Sequence, residues 1–96
     1  MKQLDPRVDE ILTILQEEAA EVIQEVSKIK RFGIDEQHKD GVSHRTKLEM
    51  EVGDLQCLID LLIEHDIVDE YGVRIAKENK VYKLHKYSDI YENQSK

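Results

Sequence analysis

The sequence predicts an all-α fold, a helical bundle of three to four helices per chain whose core is completed by homo-oligomerisation. Apolar residues recur at steps of three and four along two long stretches, the spacing of a helical stripe. No stretch alternates with period two for long enough to argue a strand. Helix-starting and helix-ending residues also fall where the stripes begin and end. Ninety-six residues make one domain, and a helical chain this short leaves the stripes of its first two helices underburied, so self-association is expected.

The first helix is expected over about 6–32. Asp5 followed by the only proline, Pro6, is an N-cap-then-N1 start. Val8, Ile11, Leu12, Leu15, Ala19, Val22, Val26 and Ile29 carry the stripe, and "KIKRFG" ends it with cations in the last turn and Gly33 just beyond. Residues 33–43, "GIDEQHKDGVS", have no periodicity and read as a loop. Ser43 or Thr46 caps a second helix over about 44–65, with Thr46 and Glu49 forming a capping box if the later start is used. Asp66 reads as the N-cap of a third helix over about 67–87, weakened in the middle by Gly72. The tail "DIYENQSK" is expected to fray or to pack on a partner.

Acids outnumber bases by 21 to 14, a formal net charge of −7. That balance argues against a nucleic-acid binder, which needs a basic stripe, and suits acids that hold divalent cations. Cys57 is the only cysteine, which excludes an intrachain disulfide and fits a reducing compartment; it reads as a small buried apolar residue. The N-terminus has no apolar signal core, and no run approaches the roughly 18 apolar residues of a membrane span. A cytoplasmic protein with neither a nucleic-acid nor a membrane partner is the expectation.

Helical geometry, at about 100° per residue, then singles out particular acids. With Leu58 at zero, Leu55 and Leu62 fall at about +60° and +40°, marking the apolar face; Glu51 falls at about +20° and Asp54 at about −40°. Glu49, Asp60 and Glu64 fall on the opposite side. On the first helix, with Leu15 at zero, Glu18, Glu25 and Glu21 lie at about −60°, −80° and −120°, along one border of the stripe, with Glu17 further round. If the helices pack antiparallel, Glu18 and Glu21 can face Glu51 and Asp54 across a shared gap. Desolvation and repulsion would raise the pKa values of carboxylates gathered there. The possible resolutions are protonation, pairing with Lys or Arg, or a divalent cation. Oxygen ligands alone suit Mg²⁺, with Mn²⁺ as substitute. A carboxylate di-iron centre is disfavoured, because no glutamate precedes a histidine by three. The four histidines show no metal-ligand spacing.

"LQEEAAEVIQEV" (15–26) followed by "LEMEVGDLQCLIDLL" (48–62) resembles the all-α nucleoside triphosphate pyrophosphohydrolases of the MazG-like superfamily, whose signature is ExxE on one helix and ExxD on the next. "KLHKYSDIY" (83–91) is similar to the ending of that family, and the resemblance covers about residues 8–91. It implies Mg²⁺-dependent hydrolysis of an NTP or dNTP to the monophosphate and pyrophosphate by a homodimer or homotetramer, with Glu18, Glu21, Glu51 and Asp54 as metal ligands. Glu17 would orient or deprotonate the attacking water. Asn79 and Lys83 would match a family pair that contacts phosphate and sugar or base, in apparently reversed order. The sequence departs from the family pattern in the 29 residues between Glu21 and Glu51, in Lys86-Tyr87-Ser88 for Arg-Tyr-Pro, and in having no tryptophan.

His44, Arg45 and Lys47 crowd the second helix start, where they meet substrate phosphates aided by free N–H groups, or form a solvated turn. Lys77, Lys80, Lys83 and Lys86 recur every three residues, either as a phosphate-facing row or as partners for acids of a neighbouring subunit. Two other functional readings stand beside the (d)NTP pyrophosphohydrolase. One is a non-enzymatic helical oligomer or adaptor that keeps its acids as ion pairs; the other is a phosphoribosyl-ATP pyrophosphohydrolase-like enzyme.

Overall fold

The computed structural model of the chain describes residues 3–92. Three helices follow one another, α1 (Pro6–Phe32), α2 (His44–Glu64) and α3 (Glu70–Tyr87), with no strand among the described residues. The all-α class is as the sequence predicts. Asp5 caps α1 by accepting from the Arg7 amide at 2.8 Å, with Pro6 at the first helical position. Gly33 ends the helix at φ 99°, a conformation costly for any residue with a Cβ, and returns its N–H to the Ile29 carbonyl at 2.8 Å.

α1 and α2 pack against each other and run antiparallel. The direction follows from which acids meet: as α1 advances from Glu18 to Glu25, its neighbours on α2 recede from Asp54 to His44. Ile11 and Leu58, 7% and 8% exposed, are the apolar side chains buried in this pair.

The 33–43 segment is more ordered than a bare loop. Gln37 and Ser43 form an isolated antiparallel bridge, and His38 donates its amide to the Val42 carbonyl at 2.8 Å. Gly41, at φ 82°, closes the turn between them. The segment then caps α2 with its own backbone: the His44 amide donates to the Glu36 carbonyl at 2.9 Å and the Arg45 amide to the Ile34 carbonyl at 2.8 Å. Ser43 is the N-cap, its Oγ accepting from the Thr46 amide at 3.2 Å, so the earlier of the two expected starts is used. These bonds satisfy the N–H groups that a helix start otherwise leaves free.

The third helix starts at Glu70, three residues later than expected, because Asp66 does a different job. It adopts φ 56° and terminates α2: its amide donates to the Ile63 carbonyl at 3.0 Å, and the Ile67 amide to the Leu62 carbonyl at 2.8 Å. That pair of bonds is a Schellman termination with aspartate in the left-handed position usually taken by glycine. Asp69 caps α3 instead, accepting from the Gly72 amide at 3.1 Å. Gly72 therefore lies in the first turn, and α3 is continuous.

α3 packs along neither of the other helices and buries no residue of its own. The radius of gyration is 17.0 Å, against about 12–13 Å for a compact domain of this length. Tyr71, Val81 and Tyr82 on α3, and Ile23 and Val26 on α1, remain exposed. Of the tail, Tyr91 stacks on His85 at 4.0 Å, and residues 93–96 lie outside the described residues. No helix among the described residues is long and apolar enough to cross a membrane.

The aspartate in the left-handed conformation gives a direct test. Asp66→Gly is expected to raise unfolding stability by up to about 1 kcal/mol, and Asp66→Val to lower it by about 1–2 kcal/mol, in urea denaturation. Equal effects of the two substitutions would contradict this termination.

Candidate metal centre

The antiparallel pairing of α1 and α2 brings Glu18, Glu21, Glu51 and Asp54 together, with one oxygen of each within 4.8 Å of all the others. The i, i+3 spacing on each helix stacks two carboxylates on one face, and two such faces meet. Glu18 and Glu51 are half-buried, whereas Glu21 and Asp54 are exposed at the rim. The Oε2 atoms of Glu18 and Glu51 are buried without a hydrogen-bond partner. No Lys or Arg among the described residues forms an ion pair with any of the four.

The electrostatic strain is visible in their proton affinities. Burial, then the negative charges of Glu21, Asp54 and Glu17, hold the Glu18 carboxyl above its ordinary range. Glu51 is pushed up to about 7. The first cause is Glu21: a protonated Glu51 can donate to its carboxylate, and burial and the charges of Glu21, Asp54 and Glu18 add to this. Ionised, neither group has a proton to give, which leaves Glu51 Oε2 unpartnered. Of the three resolutions open to such a cluster, pairing with a basic side chain is absent among the described residues; a proton or a cation remains. Two orphaned buried oxygens inside an all-oxygen donor set fit a hard divalent ion such as Mg²⁺.

The other expected site residues are placed less uniformly. Glu17 is exposed beside Glu18 and is not one of the four gathered carboxylates. Lys47 Nζ bonds Asp40 at 2.7 Å, and Lys47 shares a cavity of about 260 Å³ with Glu21, Gln24, Glu25, Lys28, His38 and Glu51. Arg45 is engaged by Asp35 at 2.9 Å. The expected free N–H groups at the start of α2 are not free, since the 33–43 backbone and Ser43 occupy them. Asn79, Lys83 and Lys86 are exposed on α3, and the fold does not bring them to the carboxylates. Cys57 is exposed rather than buried.

A second cluster was not legible in the spacing of the histidines. His44 Nδ1 lies 2.9 Å from Glu25 Oε2, and His38 Nε2 lies 3.3 Å from Glu25 Oε1. Glu25 and His44 are the most buried polar residues described, at 5% and 4% exposed. Burial pushes the Glu25 carboxyl up, but the hydrogen bonds and charge of His44 and His38 outweigh it and hold the carboxyl below its usual value. The partial signal available in the sequence was the position of Glu25 on the border of the α1 stripe; the histidines, six residues apart in an aperiodic stretch, gave none.

The raised Glu51 carboxyl predicts how the cation-free chain responds to pH. Glu51 holds its proton to about pH 7 when folded but releases it near 4.5 when unfolded, so its contribution to stability is full below 4.5 and is lost as pH rises through 7. Measured against Glu51→Gln, which carries no titrating group there, the wild-type melting temperature should fall across that window; parallel profiles would contradict the assignment. Comparison with known protein families, curated proteins and solved structures finds no match for this chain.

Proposed function

We propose that the chain is a Mg²⁺-dependent nucleotide pyrophosphohydrolase that converts a (d)NTP to the (d)NMP and pyrophosphate, with the four carboxylates between α1 and α2 as its metal ligands. The observation that carries this reading is the convergence of Glu18, Glu21, Glu51 and Asp54, two of them with orphaned buried oxygens and none paired with a Lys or Arg among the described residues. The alternative of a non-enzymatic adaptor predicts acids held as ion pairs, and among the described residues the quartet has none. The resemblance of the ExxE and ExxD motifs to the MazG-like superfamily supports the same reaction.

A bound divalent ion supplies neutralisation of the triphosphate and leaving-group charge and makes water more acidic. The chain's own residues supply the rest. Glu18, Glu21, Glu51 and Asp54 would hold the ion. Glu17, one residue before Glu18 and exposed to water, would orient the attacking water and take its proton. Lys28 and Lys47 line the 260 Å³ cavity beside Glu21 and Glu51, and are the cations nearest to an anionic tail bound there. That volume is below the roughly 300–1,000 Å³ of sites that enclose a whole small-molecule ligand. It suits a polyphosphate, with base and sugar left to surfaces outside it.

A second copy of the chain would provide such surfaces. Two buried apolar residues do not amount to a core, and the exposed apolar residues of α1 and α3 need cover. Asn79, Lys83 and Lys86 would then act across the interface, on a neighbour's substrate.

Incubating the protein with each NTP and dNTP and Mg²⁺ should yield monophosphate and pyrophosphate from at least one. EDTA should abolish the activity. Asp54→Ala should lower kcat/KM by roughly 100-fold or more, the equivalent of losing about 3 kcal/mol of transition-state stabilisation. Silence across the panel with a correctly folded, Mg²⁺-loaded protein would favour the adaptor. Sedimentation should show a dimer or tetramer at micromolar concentration, and a monomer would remove the cross-subunit role of α3.

A further inference from the structure

Among the described residues, the best-buried polar side chains are not part of the acidic quartet. Glu25 of α1, His38 of the 33–43 segment and His44 at the start of α2 come from three separate stretches, and one ligand atom of each lies within 4.8 Å of the other two. We propose that these three residues form a second metal site, selective for a divalent transition ion of the zinc type and distinct from the all-oxygen quartet.

Donor chemistry sets the class. Two imidazole nitrogens and one carboxylate suit Zn²⁺, Co²⁺ or Fe²⁺, whereas Mg²⁺ and Ca²⁺ prefer oxygen alone. Geometry supports it. A tetrahedral ion with bonds of about 2.0–2.2 Å to nitrogen and oxygen separates its ligands by about 3.3–3.5 Å. The 2.9 Å and 3.3 Å contacts of His44 and His38 are to the two different oxygens of Glu25, and with one donor atom of each residue within 4.8 Å of the other two, the set needs to close by about 1.5 Å or less to reach that spacing. His38, with its side chain 24% exposed on the 33–43 segment, has room to make the remaining adjustment.

The surroundings also belong to a built site. His44 stacks on Phe32 with ring centroids 6.0 Å apart, and the Gln37–Ser43 bridge with the His38–Val42 bond fixes the segment that carries His38. Three protein ligands leave a fourth position, as in zinc sites that keep an exchangeable ligand. His38 and Glu25 both line the 260 Å³ cavity that reaches Glu21 and Glu51, and His38 and His44 line a larger one of about 810 Å³, so the site has open space beside it. A clasp needed only to hold the segment in place would not require a carboxylate and an imidazole at 5% and 4% exposure. Such groups are costly to bury, and an apolar pair of similar volume serves as well or better. The site does not depend on the pyrophosphohydrolase reading.

The test uses Co²⁺ and Zn²⁺ on the full-length metal-free protein near neutral pH. Co²⁺ should bind at micromolar concentration with the intense visible absorption of tetrahedral coordination, and Zn²⁺ should displace it while excess Mg²⁺ should not. His38→Gln, on the segment surface, should weaken Co²⁺ binding at least about tenfold and abolish the tetrahedral band, and Glu25→Gln should do the same. Asp54→Ala, which disables the quartet, should leave the band unchanged. Zn²⁺ at a hundredfold excess over its Kd should raise the wild-type Tm by about 10 °C or more and the His38→Gln Tm by far less. The proposal is overturned if Co²⁺ gives no tetrahedral band, if the band survives His38→Gln, or if Asp54→Ala removes it. Circular dichroism of each variant separates loss of the site from loss of the fold.

Discussion

Like charges on two packed helices must be compensated, and this constraint organises the α1–α2 seam. Within two turns of α1 and the facing part of α2 lie five carboxylates: Glu18, Glu21, Glu25, Glu51 and Asp54. At the close approach of side chains, mutual repulsion grows as water is excluded, and an uncompensated buried charge costs several kcal/mol. Where each acid finds its counter-charge therefore decides which part of the seam is structural and which is open to a ligand. The lysine and arginine residues of α2 and the connecting segment do not fill that role for the quartet. Arg45 and Lys47 are engaged by Asp35 and Asp40 of the connecting segment.

The two ends of the seam resolve the problem differently. Toward the 33–43 segment, Glu25 has two imidazoles within hydrogen-bonding distance, and its carboxyl is held low despite burial. About two turns away, Glu18 and Glu51 form no ion pair with a basic side chain among the described residues, and their carboxyls are held high. The same helix pair thus carries a compensated cluster with nitrogen donors and an uncompensated cluster made wholly of oxygen. Hard and borderline cations are separated by that difference in donor type, and the cavity between Glu25 and Glu51 joins the two.

The shape of the chain follows from its hydrophobic bookkeeping. α1 and α2 bury Ile11 and Leu58 against each other, and α3 leaves the pair at the Asp66 termination without packing back. The late start of α3 spends residues 65–69 on a turn, and that turn sets the direction in which the third helix departs. The result is an acidic seam held rigidly by two helices and a third helix whose polar residues stand apart from it. An active site assembled from one chain alone would use the seam and the connecting segment.

The sequence by itself determined the helical class, the limits of α1 and the four carboxylates, because each depends on local chemistry or helical period; it left the start of α2 open between Ser43 and Thr46. Asp5-Pro6 and Gly33 act within a few residues, and Glu51 and Asp54 are set on the apolar face by 100° steps from Leu58. Local preference was ambiguous at Asp66, since aspartate serves equally as an N-cap and in the left-handed position; the Leu62 and Ile63 carbonyls chose the second. Tertiary structure alone decided the rest. It folded an aperiodic segment into a backbone cap for α2, exposed Cys57, and joined His38 and His44 to a glutamate 13 and 19 residues earlier. No period links residues brought together by chain reversal, so only the packing of α2 against α1 could reveal that cluster.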